Sequence, residues 1–149
     1  RQVAVPMRRR QVVVCALDLI SGMTEGMGPA VEALVAGSLL PQMLLVACRD
    51  EAADVRQSVY ALVGDLAKAC HNQLRPLLGE LLPVLTAQLD PELDSVCNNA
   101  SWAIGEITVK VGEEMTPYVE GVLQARPRPP LSCHRPSDAR RACRSGWWR

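Results

Sequence analysis

The chain has no phenylalanine, and aromatic residues make up only 3% of its 149 positions. A core of stacked rings is therefore excluded. Hydrophobic content is still 48%, so Leu, Val, Ala and Ile must fill the interior. Packing of that kind is common where helices pack on helices. No apolar run reaches the length of about 18 residues that a membrane-spanning helix needs. There is no C-x-x-C among the six cysteines at 15, 48, 70, 97, 133 and 143. Four of them fall inside apolar helical patterns, where a reduced cysteine behaves as a small hydrophobe. Free thiols in a reducing compartment are expected. The arginines of the first ten residues are not followed by the apolar core and cleavage site of a secretory leader, so secretion is not expected.

Histidine is equally scarce. His71 falls at a helix end, where capping or solvation is its ordinary role. No Ser or Cys nucleophile has a matching His partner by motif, and no glycine-rich phosphate loop occurs. No enzyme activity and no cofactor are expected. Cys133-His134 with Cys143 is spaced poorly for zinc and lacks a fourth ligand, so no metal is expected.

The formal net charge is zero but unevenly spread. Residues 1–10 carry +4, residues 11–125 carry −10 and residues 126–149 carry +6. An acidic body repels nucleic acid and attracts basic peptides. Nucleic-acid binding would have to use the arginine-rich end, which lacks interleaved aromatics before its final Trp147-Trp148 pair. Neither nucleic acid nor membrane is an expected partner.

Residues 12–125 read as helices almost throughout. The period predicts Val12–Met27, closed by Gly28 and Pro29, then Ala30–Ala36 and Leu39–Cys48. Asp54 reads as the N-cap of Val55–Cys70. Asn72–Leu89 follows, with Pro76 tolerable near its first turn and Pro83 expected to kink or interrupt it. Leu93–Val111 ends at Gly112, and Thr116–Gln124 starts with Pro117 in a favoured position. Residues 1–11 are expected to be irregular and basic. From Arg126 the chain becomes rich in Arg, Pro and Ser, and a disordered tail over 126–149 is expected. The abrupt change there suggests a join such as an alternative splice end, a read-through or a shifted reading frame.

The helices repeat. Ile20-Ser21-Gly22-Met23, Val63-Gly64-Asp65-Leu66 and Ile104-Gly105-Glu106-Ile107 occupy equivalent places, 41–43 residues apart. A two-helix unit at that period is the mark of HEAT or armadillo arrays, in which helix pairs stack into a solenoid. The fold class expected is all-α: a HEAT-repeat solenoid fragment of about three helix pairs over residues 12–125.

The segments ALDLISGMTEGMG (16–28), VRQSVYALVGDLAKAC (55–70) and SVCNNASWAIGEI (95–107) closely resemble the transportins, nuclear import receptors of the karyopherin-β2 family built of HEAT repeats. The resemblance runs over roughly residues 12–124 and places the chain in the C-terminal half of such a receptor, with ends outside the family pattern. It implies a protein of cytoplasm and nucleus whose concave, acidic surface takes proline-tyrosine nuclear localisation signals. It also implies Ran GTPase as a partner of the full-length family only, through N-terminal repeats that are not part of the matching segments. Nucleoporins are further candidates.

The repeat offset projects one helix face onto the next. Asn98, Trp102 and Glu106 map onto Gln57, Ala61 and Asp65, and these onto Val14, Asp18 and Gly22. Glu25 and Lys68 continue the first two stripes. The buried faces are expected elsewhere, at Val96, Ala100, Ala103, Ile107 and Val111 in one helix and Val59, Leu62, Val63 and Leu66 in another. Three such helices at about 8–10 Å spacing present a surface about 20–30 Å wide. That width suits an extended peptide of roughly six to nine residues. Asp18, Glu25, Asp65 and Glu106 supply negative potential for Lys and Arg. Gln57, Asn98 and Asn99 offer donors and acceptors to a peptide backbone. Trp102 offers a rigid plate for an apolar side chain or an arginine. The resemblance places Asp18, Glu25, Gln57, Asp65, Asn98 and Trp102 on cargo-contacting positions, with Asn99 and Glu106 as neighbours.

The plainer alternatives are a solvated charged face, a core tryptophan, and asparagines that form a ladder between repeats. A HEAT scaffold or truncated splice product without cargo binding of its own is the corresponding function. Asp94 departs from the apolar residue expected beside the indole, and the next inner helix is replaced by the Arg/Pro segment.

Overall fold

The computed structural model describes residues 7–125. Residues 1–6 and 126–149 lie outside them, and with them the expected disordered tail, Cys133, His134, Cys143, Trp147 and Trp148.

Helix α1 spans Met7–Met27. It starts five residues before the expected Val12, so residues 7–11 are not irregular. Met, Arg and Gln are good helix formers, and no glycine or proline intervenes before Gly22, so the helix extends without needing an apolar period. It stops at Gly28, whose φ of +55° is a left-handed value that glycine adopts without a Cβ penalty. A 3₁₀ turn over Gly28–Val31 replaces the first residues of the expected helix at Ala30, because Pro29 follows the reversal directly. Helices α2 (Glu32–Ala36) and α3 (Leu40–Ala47) are short. Between them the Ser38 hydroxyl accepts from the Leu40 N–H at 3.2 Å.

Helix α4 covers Ala53–Leu74. Asp54 is not its N-cap but lies inside its first turn, where its carboxylate accepts from the Val55 N–H at 2.9 Å. Asp50 takes the entry role instead, accepting from the Ala52 N–H at 2.8 Å. Arg56 ties this entry loop down, donating through Nη1 to the carbonyls of Asp50 and Glu51 and through Nε to Gln88. The backbone leaves helical geometry at Cys70 (φ −150°, ψ 53°), the residue where the period ends. Pro76 sits in a 3₁₀ turn over Arg75–Leu77, and α5 runs from Leu78 to Thr86. Pro83 lies within α5 without ending it. Both Pro83 and Gly79, whose carbonyl the proline cannot bond, are exposed, so water can take the missing donor's place.

Helix α6 spans Asp94–Val111 and is closed by Gly112 at φ +57°. Helix α7 is Thr116–Gln124, with Pro117 in its first turn.

Helices α1, α4 and α6 lie side by side in one layer, with α4 in the middle. Helix α5 packs against α6 and α7, and α3 against α4, to make the second layer. The described chain is thus an all-α HEAT-repeat fragment. The central helix has neighbours on both flanks, so Val59, Tyr60, Leu62, Val63, Leu66 and Ala67 are fully buried. In α6, Val96, Ala100, Ala103 and Ile107 are buried and Val111 partly so, in line with the expected inward face. The buried Tyr60 hydroxyl donates to the Cys48 carbonyl at 2.8 Å. Burial pushes the Cys48 thiol up to about 12 and the Cys70 thiol up to about 11, which keeps both protonated and unreactive. The two ends of the stack differ from its middle. Val12 and Val46 at one end, and Val109 and Leu123 at the other, are 69–78% exposed. No single helix among the described residues is long and apolar enough to cross a membrane.

Candidate functional site

The three stripes do lie next to one another. The Asn99 side chain donates to the Gln57 carbonyl at 2.9 Å, from α6 to α4. The Ser21 hydroxyl donates to the Asp65 carboxylate, from α1 to α4. These partners are 42 and 44 residues apart, close to one repeat, so the periodicity corresponds to physical adjacency.

Trp102 projects from α6 onto α4 and is half-buried. Its six-membered ring occupies the space beside Gly64. A methyl group placed on Gly64 would stand 2.8 Å from Cη2 and closer still to Cε3 and Cζ3. The indole can seat there only because Gly64 has no side chain. Ser21 and Gly105 hold the equivalent places in the other repeats, and nothing lies within 4 Å of a Cβ at Gly105. On the α1 side, Ala61 of α4 stands in the Trp102 position relative to Ser21, and the Ser21 hydroxyl donates to Asp65 instead. The Lys68 ammonium lies 5.8 Å from the centroid of the indole.

The acidic residues separate into two kinds. Asp18 and Glu25 on α1 are exposed, and Glu106 on α6 is half-buried. Asp65 is only 5% exposed. Its burial raises the carboxyl above its ordinary value, with the negative charges of Glu25 and Glu106 adding to the shift and the Ser21 hydrogen bond and Lys68 opposing it. Asp65 and Glu25 share a cleft of about 300 Å³ with Thr24, Gly28, Pro29, Lys68 and Ala69. Asp65 stands at the floor as an interhelical clamp, and Glu25 faces solvent. Of the amides, Gln57 and Asn98 are exposed, while Asn99 is half-buried and engaged with α4. Asp94, exposed at the first residue of α6, is favourably placed for the helix dipole.

The structure therefore gathers Glu25, Asp65, Glu106 and Lys68 into one electrostatic neighbourhood beside Trp102, with the Gln57–Asn99 contact nearer the start of α4. Among the described residues, no contact draws Asp18 or Asn98 into it. Stripe projection missed the roles of Gly64 and Ser21. The glycine was visible as a repeated residue in the helix middle, and such a glycine commonly marks a close approach. Of the equivalent glycines Gly64 and Gly105, Gly64 is the one with a tryptophan seated on it.

The fold and this surface define the class first: a HEAT-type helical array whose aligned layer carries polar side chains. No family model matches the chain. Curated relatives do. The chain is 52% identical over 118 residues to Transportin-1 of Oryza sativa subsp. japonica and 46% identical over 114 residues to Transportin-1 of Homo sapiens. It is 36% identical over 119 residues to importin subunit beta-2 of Schizosaccharomyces pombe. These matches cover 76–77% of the chain but only 13% of each relative. The chain contains a segment of the transportin family.

Two substitutions test the packing. Gly64→Ala is expected to destabilise by about 1–3 kcal/mol through overpacking against the indole. Gly22→Ala, with open space around it, is expected to be neutral or stabilising by up to about 1 kcal/mol, as alanine is the better helix former. Denaturant unfolding of the two variants separates the cases. For Asp65, the raised folded-state value means that the unfolded chain loses its proton first as pH rises. Wild-type stability therefore falls as pH rises from about 3.8 through the raised folded value. Asp65→Asn keeps an acceptor for Ser21 and carries no charge. Its melting temperature relative to wild type is expected to be highest near pH 7, and the difference to shrink as pH falls towards 4.

Proposed function

We propose that the chain is a fragment of a nuclear import receptor, and that the polar face of α1, α4 and α6 binds the basic and apolar part of a proline-tyrosine nuclear localisation signal. The observation that carries this reading is the half-buried indole of Trp102 at the edge of a neighbourhood of Glu25, Asp65 and Glu106, within a transportin segment. A rigid, partly exposed indole is a good anchor for an apolar side chain. Exposed carboxylates at Asp18 and Glu25 suit Lys and Arg, and the exposed amides of Gln57 and Asn98 suit a peptide backbone. Asp65 contributes charge from below, and Asn99 holds α6 against α4, so these two act on the peptide through position rather than by free contact. Cytoplasmic and nuclear residence accompanies this reading. Ran and nucleoporins would engage a longer receptor.

A second reading has its own support. Asp65 and Asn99 are spent on contacts between repeats, and apolar side chains are exposed at both ends of the stack. Both features suit a scaffold segment that gains peptide affinity only within a longer array.

The two readings separate in a titration of a fluorescein-labelled basic proline-tyrosine signal peptide with the full chain, followed by anisotropy. Weak binding that weakens further with added salt is expected for cargo contact. Trp102→Ala is expected to cost on the order of 2 kcal/mol, roughly thirty-fold in Kd. No binding at millimolar protein, with the chain shown to be helical and soluble, favours the scaffold.

A further inference from the structure

We propose, building on the peptide-binding reading, that Lys68 is a specificity-determining residue: its ammonium fills the cation position over the Trp102 indole, so that this plate selects an apolar side chain over Lys or Arg.

The geometry is local. Gly64 and Lys68 are one turn apart on α4 and so share a face. The first gives the indole its seat, and the second reaches back over the same ring. A separation of 5.8 Å lies within the range where an aromatic face attracts a cation. The lysine also lines the cleft that holds Glu25 and Asp65. Among the described residues it forms no salt bridge. Its ammonium is thus held between an aromatic face and carboxylates rather than committed to one of them. Arg49 and Arg75, by contrast, pair with Glu80 and Glu114.

An incoming arginine or lysine at Trp102 would meet this like charge at short range. An apolar side chain would not, and could pack on the free part of the indole and on the lysine's methylene stem. Basic residues of the same peptide are left to the α1 side, where Asp18 and Glu25 are exposed. The surface then distinguishes two chemistries a few residues apart along one ligand, with a repulsive element as part of the discrimination.

The test uses the full chain, its Lys68→Met variant, and two fluorescein-labelled signal peptides that differ only in carrying Leu or Arg at the N-terminal apolar position. The wild type is expected to prefer the Leu peptide by about five-fold or more, the factor that one unit charge at close range supplies near a solvated surface. Lys68→Met is expected to reduce that ratio at least about five-fold, chiefly by tighter binding of the Arg peptide. Binding with an unchanged ratio, or an equal gain for both peptides, overturns the role of Lys68 and leaves the peptide reading standing. Failure of both peptides to bind either protein overturns the peptide reading and this proposal together.

Discussion

The indole of Trp102 and the bare backbone of Gly64 share one volume, and the arrangement of the layer follows from that. Were Gly64 any larger residue, the ring would have to leave its seat or α6 would have to move away from α4. The contact sets how near these helices lie and how much of the indole remains in water. It also brings Lys68 over the ring and, through the Asn99–Gln57 hydrogen bond, fixes the register of the same two helices at a second point. The neighbouring junction is built otherwise. Between α1 and α4 there is no tryptophan, and the Ser21–Asp65 hydrogen bond takes its place. Two successive repeats with the same backbone plan are therefore joined by different chemistry, one apolar and one polar.

The polar junction has an electrostatic consequence. Water would screen the charge of a surface carboxylate, whereas Asp65 lies beneath the surface with Glu25 and Glu106 nearby. Its charge is costly to hold there, and Ser21 and Lys68 offset part of the cost. On the peptide-binding proposal, a basic side chain on the Glu25 side of the cleft would offset part of the rest. On that proposal, this would be a physical reason for a HEAT layer to keep an imperfectly satisfied acid between two helices. Replacing such a group by a neutral one commonly stabilises the fold alone.

Much of the layer is legible in the sequence because helix–helix packing depends on period. Val59, Leu62, Val63 and Leu66, and Val96, Ala100, Ala103 and Ile107, recur at helical spacing and are buried. Gly28 and Gly112 end their helices as left-handed residues. What escaped the period is what depends on depth or on a distant partner. The period puts Asp65 on an open stripe, but the residue is buried and accepts from Ser21, 44 residues earlier. Asn99 was legible as a ladder or as a ligand contact, and its bond to the Gln57 carbonyl is a ladder. Asp50 and Asp54 are both reasonable entry residues for α4, and the loop that Arg56 holds decides for Asp50. Residues 7–11 carry no apolar period and are helical nonetheless, because Met, Arg and Gln favour the helix without one.

The most direct test of the account is a double-mutant cycle by denaturant unfolding. Gly64→Ala is made in the wild type and again in the Trp102→Ala background, and the two costs are compared. If the indole occupies the glycine's side-chain space, the alanine costs at least about 1 kcal/mol more when the tryptophan is present, because the overlap disappears with the ring. An equal cost in both backgrounds would mean that Trp102 is not seated on Gly64, and the account of the layer and of the surface built on it would be contradicted.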